Sequence, residues 1–76
     1  MVGAYILITT KSGAEKEVLE ALKKGKNIVN ATILYGEYDI LAKIALKDIT
    51  ELNDYLLTHI RPISGIEKTS TLIIAG

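Results

Sequence analysis

Two stretches of this chain are built like helices with marked ends, and almost everything between them is a run of apolar or β-branched residues. That order constrains the fold more than any other feature. In SGAEKEVLEALKKG, Ser12 fits an N-cap and Glu15 follows three residues on, the spacing of a capping box. Ala14, Val18, Ala21 and Leu22, helped by Leu19, recur at helical spacing and make one apolar stripe. Glu15 and Glu17 open the segment and Lys23 and Lys24 close it, a polarity that suits the helix dipole, and Gly25 is a natural terminator. The second stretch repeats the device. Asp48 caps, Glu51 is its reciprocal partner, Ile49, Leu52, Leu56 and Ile60 form the stripe, and Arg61-Pro62 ends it.

Around these helices lie four strand-like runs, at 2–10, 28–35, 38–46 and 66–74, rich in Ile, Val, Thr, Tyr and Leu. Only Gly36 and Glu37 separate the second run from the third, so the two are expected to form an antiparallel hairpin. The order is βαββαβ. With right-handed crossovers it predicts an α+β fold, the ferredoxin-like plait, in which a four-stranded antiparallel sheet carries both helices on one face.

Helices cover only one face of such a sheet, and the strands want cover on both. In the first strand Val2, Ala4, Ile6 and Ile8 oppose Tyr5 and Leu7; in the third, Ile40, Ala42 and Ile44 oppose Leu41 and Ala45, with Lys43 the lone charge. In the second, Ile28 and Leu34 oppose Val29, Ala31, Ile33 and Tyr35. A second sheet packed on the open face is the simplest answer. The composition agrees: 76 residues make one small domain, 1–76, yet 49% of them are apolar. A chain this short has little interior, and the surplus predicts an obligate homo-oligomer. A monomer with an apolar face, or one covered by another segment, is the alternative.

Several functions are disfavoured. Lys plus Arg equals Asp plus Glu at nine each, so there is no electrostatic case for gripping a phosphate backbone. No apolar stretch reaches the roughly 18 residues a membrane span needs, and the N-terminus has no basic leader. The reading is a cytoplasmic chain that uses no membrane. There is no cysteine, no histidine pair at metal spacing and no glycine-rich phosphate loop, so neither metal nor cofactor is expected. His59 stands near a helix C-terminus, where a favourable dipole contact or plain exposure explains it better than a role as ligand or base.

Two polar clusters remain. In LYGEYDI, Gly36 suits a turn, and Glu37 suits either a solvated tip or a ligand contact. Asp39 is harder to place, because aspartate is unfavourable at the start of an apolar strand. Tyr35 and Tyr38 beside it are flat, amphipathic surfaces of the kind that line small-ligand pockets and interfaces. A ligand or interface role for Asp39, accepting from an ammonium or from amides, is weighed against turn geometry. In the last strand Thr69, Ser70 and Thr71 give both sheet faces a hydroxyl; β-propensity explains them, and so does a cleft that binds a carboxylate.

Taken together, YILITTKSGAEKEVLEAL, IVNATILYGEYDILAKIALKDITELNDYLLTHI and ISGIEKTSTLII resemble the effector, ligand-sensing domain of the Lrp/AsnC (feast/famine) transcriptional regulators along essentially the whole chain. The resemblance implies a dimer whose sheets pack face to face in an α/β sandwich, further assembly into octamers, and an amino acid or similar small molecule bound where dimers meet. It places ligand and inter-dimer contacts on Gly36, Glu37, Tyr38 and Asp39. It places Thr69, Ser70 and Thr71 in the same cleft, contributed by a neighbouring subunit, and leaves both Tyr35 and Tyr38 candidates for ligand contact by position only. Full-length members carry an N-terminal helix-turn-helix domain. Without one, this chain is expected to act as a stand-alone module that binds no DNA directly and that senses an amino acid or joins full-length relatives. A purely structural oligomeriser is the alternative; a small dimeric plait enzyme ranks behind both, since the sheet faces are largely aliphatic.

Overall fold

A computed structural model of the chain describes residues 1–75; Gly76 lies outside them. The elements run β1 (Val2–Thr10), α1 (Glu15–Lys23), β2 (Ile28–Ile33), β3 (Ile40–Leu46), α2 (Ile49–Tyr55) continued by a π-helical turn (Leu56–Ile60), and β4 (Ile66–Ile73). The sheet order is β2-β3-β1-β4, every neighbour antiparallel, which is the expected plait.

The two layers meet on one apolar core. Ala4, Ile6 and Ile8 of β1 and Ile40, Ala42 and Ile44 of β3 have no exposed surface, and they pack under Val18, Leu22, Leu52, Tyr55 and Ile60. Alternation along each strand sends these residues to one face. Each fully buried aliphatic side chain of this kind contributes roughly 1.5–3 kcal/mol.

The helix ends follow the expectation in one case and not the other. Asp48 Oδ1 accepts from the Glu51 amide at 2.9 Å, so the second cap stands. Ser12 caps nothing: the Ala14 amide closes a turn on the Lys11 carbonyl, and that turn puts two residues between Ser12 and the first helical residue. Glu15 bonds the Gly13 amide instead. Gly25 follows α1 as expected, but for a different reason. A Cβ at that position would collide with the Tyr55 hydroxyl, so the backbone passes there only as glycine.

The second stripe also changes register. Tyr55 is buried while Ile49 is exposed and Leu56 only half-buried, and Ile60 completes the stripe as expected. The Arg61 amide bonds the Leu56 carbonyl five residues back, the signature of a π turn. The wider turn lets Tyr55 and Ile60, five apart, both reach the core.

The open face of the sheet differs from the expectation at its edges. A β-bulge between Ile28 and Asn30 puts Ile28 on the same side as Ala31 and Ile33, the helix side, and so turns Asn30 and Thr32 outward. Directly paired residues share a face. The open face therefore shows Tyr5, Leu7, Leu41 and Ala45 on the two central strands. Asn30 and Thr32 flank them on one edge, and Lys68, Ser70 and the exposed Leu72 on the other. Lys43, paired with Tyr5, lays its ammonium 5.6 Å from the centre of that ring and covers part of the apolar centre.

Candidate functional site

The hairpin is wider than a two-residue turn. β2 stops at Ile33 and β3 starts at Ile40, and the loop between them closes where the Leu34 amide donates to the Asp39 carbonyl at 2.8 Å. Tyr35 to Tyr38 project beyond that closure. Gly36, at φ +129, takes a conformation that L side chains rarely adopt, and open space surrounds it. Tyr35 is fully exposed and is not among the residues lining the cleft described below.

Asp39 is the anchor of this loop. Its amide donates to the Ile8 carbonyl at 2.9 Å, continuing the β1–β3 ladder. Its Oδ2 accepts from the Thr10 amide at 2.7 Å and from the Thr10 hydroxyl at 3.3 Å. Thr10 needs that acceptor because the β1–β3 ladder ends at the Ile8–Ile40 pair, and the Thr10 amide, two residues on from Ile8, faces the same side with no strand carbonyl opposite it. The carboxylate takes the amide that the ladder leaves behind. The aspartate that looked misplaced in a strand thus ties the hairpin to the end of β1.

Beside this joint is a cleft of about 300 Å³ lined by Thr9, Glu37, Tyr38, Lys68, Thr69 and Ser70. That volume is at the lower end of the roughly 300–1,000 Å³ of small-molecule sites. It unites parts of both sequence clusters: Glu37 and Tyr38 from the loop, Thr69 and Ser70 from β4. The resemblance assigned the hydroxyls to a neighbouring subunit, yet within one chain they already line the same cleft as the loop. Thr71 pairs with Ile6 on the helix side, away from it. Asp39 stands behind the cleft wall on Thr10. Thr9 and Lys68 are additions, paired across β1 and β4. Nothing local in the sequence signals either, since their proximity to the loop depends on the β1–β4 register.

The cleft lining thus combines one acidic residue, one lysine, a tyrosine and the open-face hydroxyl residues Thr9 and Ser70, with Thr69 paired to Ile8 on the other side of β4. Thr9 Oγ1 is buried and, among the described residues, has no hydrogen-bond partner. Also among them, no three His, Asp or Glu side chains converge to hold a metal ion. No helix of the described residues is long and apolar enough to cross a membrane.

A four-stranded plait with a polar cleft between its hairpin loop and its last strand has the build of a small-ligand-binding α+β module. Residues 3–75 match the family model for the Lrp/AsnC ligand binding domain, and the chain belongs to that family. It is 39% identical over 71 residues to the HTH-type transcriptional regulator FL11 of Pyrococcus furiosus, covering 93% of this chain and 46% of the regulator. The chain thus spans about half the length of the curated relatives it matches. Among solved structures, FFRP-DM1 is 36% identical with a TM-score of 0.95, covering 99% of this chain and 100% of the other. AsnC of E. coli is 30% identical with a TM-score of 0.94, covering 99% of this chain and 51% of AsnC. The chain is therefore an effector-binding module of the Lrp/AsnC type.

Proposed function

We propose that this module binds a free amino acid in the cleft between the hairpin loop and β4, and that it does so as a cytoplasmic homo-oligomer linked to transcriptional control. The observation that carries the reading is the presence of Glu37 and Lys68 in one cleft with the hydroxyl residues Thr9 and Ser70 of the open face, Thr69 bordering it from the other side of β4. A zwitterion needs both signs at close range. In this reading Glu37 receives the ammonium, Lys68 and the hydroxyls receive the carboxylate, and Tyr38 packs on the side chain. Asp39 acts by holding the loop, and Gly36 by letting it turn; Tyr35 and Thr71 remain candidates for contacts made after subunits assemble.

The open face supports the oligomer. Its apolar centre and polar margins match the anatomy of a protein interface. Two such sheets stacked face to face form the α/β sandwich, and dimers then assemble further, with an octamer as the expected ring. Hetero-assembly with full-length regulators would let a neutral chain act on transcription without touching DNA itself. The role is non-catalytic.

Calorimetry against the twenty standard amino acids tests the reading. Saturable binding of at least one is expected, weakened by E37Q and by K68Q. Absence of binding by the parent oligomer would leave the purely structural reading, which the same open face favours.

A further inference from the structure

A second hollow, of about 470 Å³, lies against the start of β4 and is lined by Arg61, Ile66, Glu67, Lys68 and Thr69. It adjoins the amino-acid cleft, with Lys68 and Thr69 forming the wall between them. Its origin is an irregularity of the β1–β4 ladder at Thr9 and Thr10. The ladder pairs Thr9 with Lys68 and Thr10 with Ile66, so Glu67 is the extra residue that no partner opposes. A bulge bends its strand and re-aims its side chains, and β4 is an edge of the sheet. The other wall comes from the helix layer. The π turn ends at Ile60, and Arg61, bonded back to Leu56, follows it into the hollow.

We propose that this hollow is a second ligand site, one for a small phosphorylated metabolite whose oxyanion is held by Arg61 and the Thr69 hydroxyl, with the Lys68 ammonium at its rim. Arg61 is the only arginine of the chain. Its planar fork matches a phosphate bidentately, while Lys68 supplies a compact point charge and Thr69 a donor. Both cations are exposed, so an anion reaches them without burying an unpaired charge. The volume is about fifteen times the ~30 Å³ share of a liquid water, so it takes the oxyanion with its carrier rather than the ion alone. Glu67 opposes the anion and holds its affinity down in the parent chain. That opposition makes Glu67 an internal control, because a cation site or an inert surface hollow would respond to its removal in the other direction or not at all. Sharing Lys68 with the amino-acid cleft couples the two sites: each anion competes for one ammonium, so each ligand weakens the other.

The test is an amide-shift NMR titration of the full chain with inorganic pyrophosphate at ionic strength held constant with sodium chloride. Saturable shifts are expected at Arg61 and Ile66 to Thr69. R61Q is expected to weaken binding roughly tenfold, the size typical of a lost charge-assisted hydrogen bond. E67Q is expected to strengthen binding. Shifts that chloride alone reproduces, an R61Q variant that binds like the parent, or weakening by E67Q would each overturn the proposal. R61K, which keeps the charge and loses the fork, is expected to fall between parent and R61Q. R61Q lies outside the amino-acid cleft, so its amino-acid binding should persist. Loss of pyrophosphate binding with amino-acid binding intact separates the two sites. Failure of the amino-acid screen alone leaves the pyrophosphate titration fully readable.

Discussion

The carboxylate of Asp39 and the amide of Thr10, 29 residues apart in sequence, meet at 2.7 Å and join the hairpin loop to the end of β1. Thr10 is almost fully buried, so its amide has no water to turn to. The bond explains an aspartate in an apolar strand without any ligand, and it places that residue in the frame of the cleft rather than on its surface.

Removing this acceptor is expected to cost stability. D39A leaves a buried N–H unsatisfied, a loss of roughly 1–3 kcal/mol. D39N keeps an oxygen in place and should cost clearly less. T10V removes only the longer hydroxyl contact and should cost less than D39A. Urea unfolding at one fixed protein concentration ranks the three, the concentration being held because an oligomer's apparent stability depends on it. D39N no better than D39A would mean that the carboxylate works through charge and not as an acceptor.

Gly25 and Tyr55 make a second long-range pair. G25A drives a methyl into the Tyr55 hydroxyl and should destabilise by about 1–3 kcal/mol through overpacking. Y55F removes the oxygen, and with it the hydrogen bond from the Asn27 amide. The double variant G25A/Y55F should therefore be less destabilised than the sum of the two singles. Additive losses in the double-mutant cycle would place the G25A effect elsewhere, in the Ile28 contact.

These pairs show which parts of the molecule the sequence discloses. The element order was legible because periodicity is local: Val18 and Leu22 in one helix and Ile40, Ala42 and Ile44 in one strand declare their faces unaided. The Asp48 cap was legible for the same reason. The hairpin was misjudged because Tyr35 and Tyr38 have strand propensity, while the loop's width is set by Asp39 reaching across to β1. Ile28 changed sides because a bulge breaks the period of two, and bulges carry no signal of their own in this stretch. The π turn escaped notice because Leu52, Leu56 and Ile60 satisfy α spacing on paper. In the cleft, Glu37, Tyr38, Thr69 and Ser70 stood out by chemistry, whereas Thr9 and Lys68 enter only through the β1–β4 register.

Tyr55 also predicts how the fold responds to alkali. Its pKa is raised above the ordinary 10.0, chiefly because burial penalises the phenolate; the hydrogen bond from the Asn27 amide works against that and is the lesser effect. A raised folded-state pKa means that the unfolded chain loses this proton first. Its contribution to stability is thus complete below about pH 10 and declines as pH rises through the folded-state value. Urea midpoints measured from pH 9 upward should fall for the parent, once past the unfolded pKa of about 10. Y55F should show a shallower fall. Parallel slopes would assign the alkaline loss to groups other than Tyr55.

The apolar centre of the open face makes the last prediction. Leu7 and Leu41 are cross-strand partners at the middle of that face, half-buried even without a partner sheet. A stacked second sheet would bury both completely, and a charge placed there would have to be desolvated without a counter-ion. L41E should therefore sediment at the 8.3 kDa of one chain at micromolar concentration, with its far-UV spectrum retained, while the parent sediments as a dimer or larger. N30D, placed on the polar margin, should leave the assembly intact, since rim charges carry little binding energy. A parent that already sediments as a single chain would refute the stacked-sheet arrangement. An L41E variant that keeps the parent's mass would move the interface away from the centre of this face.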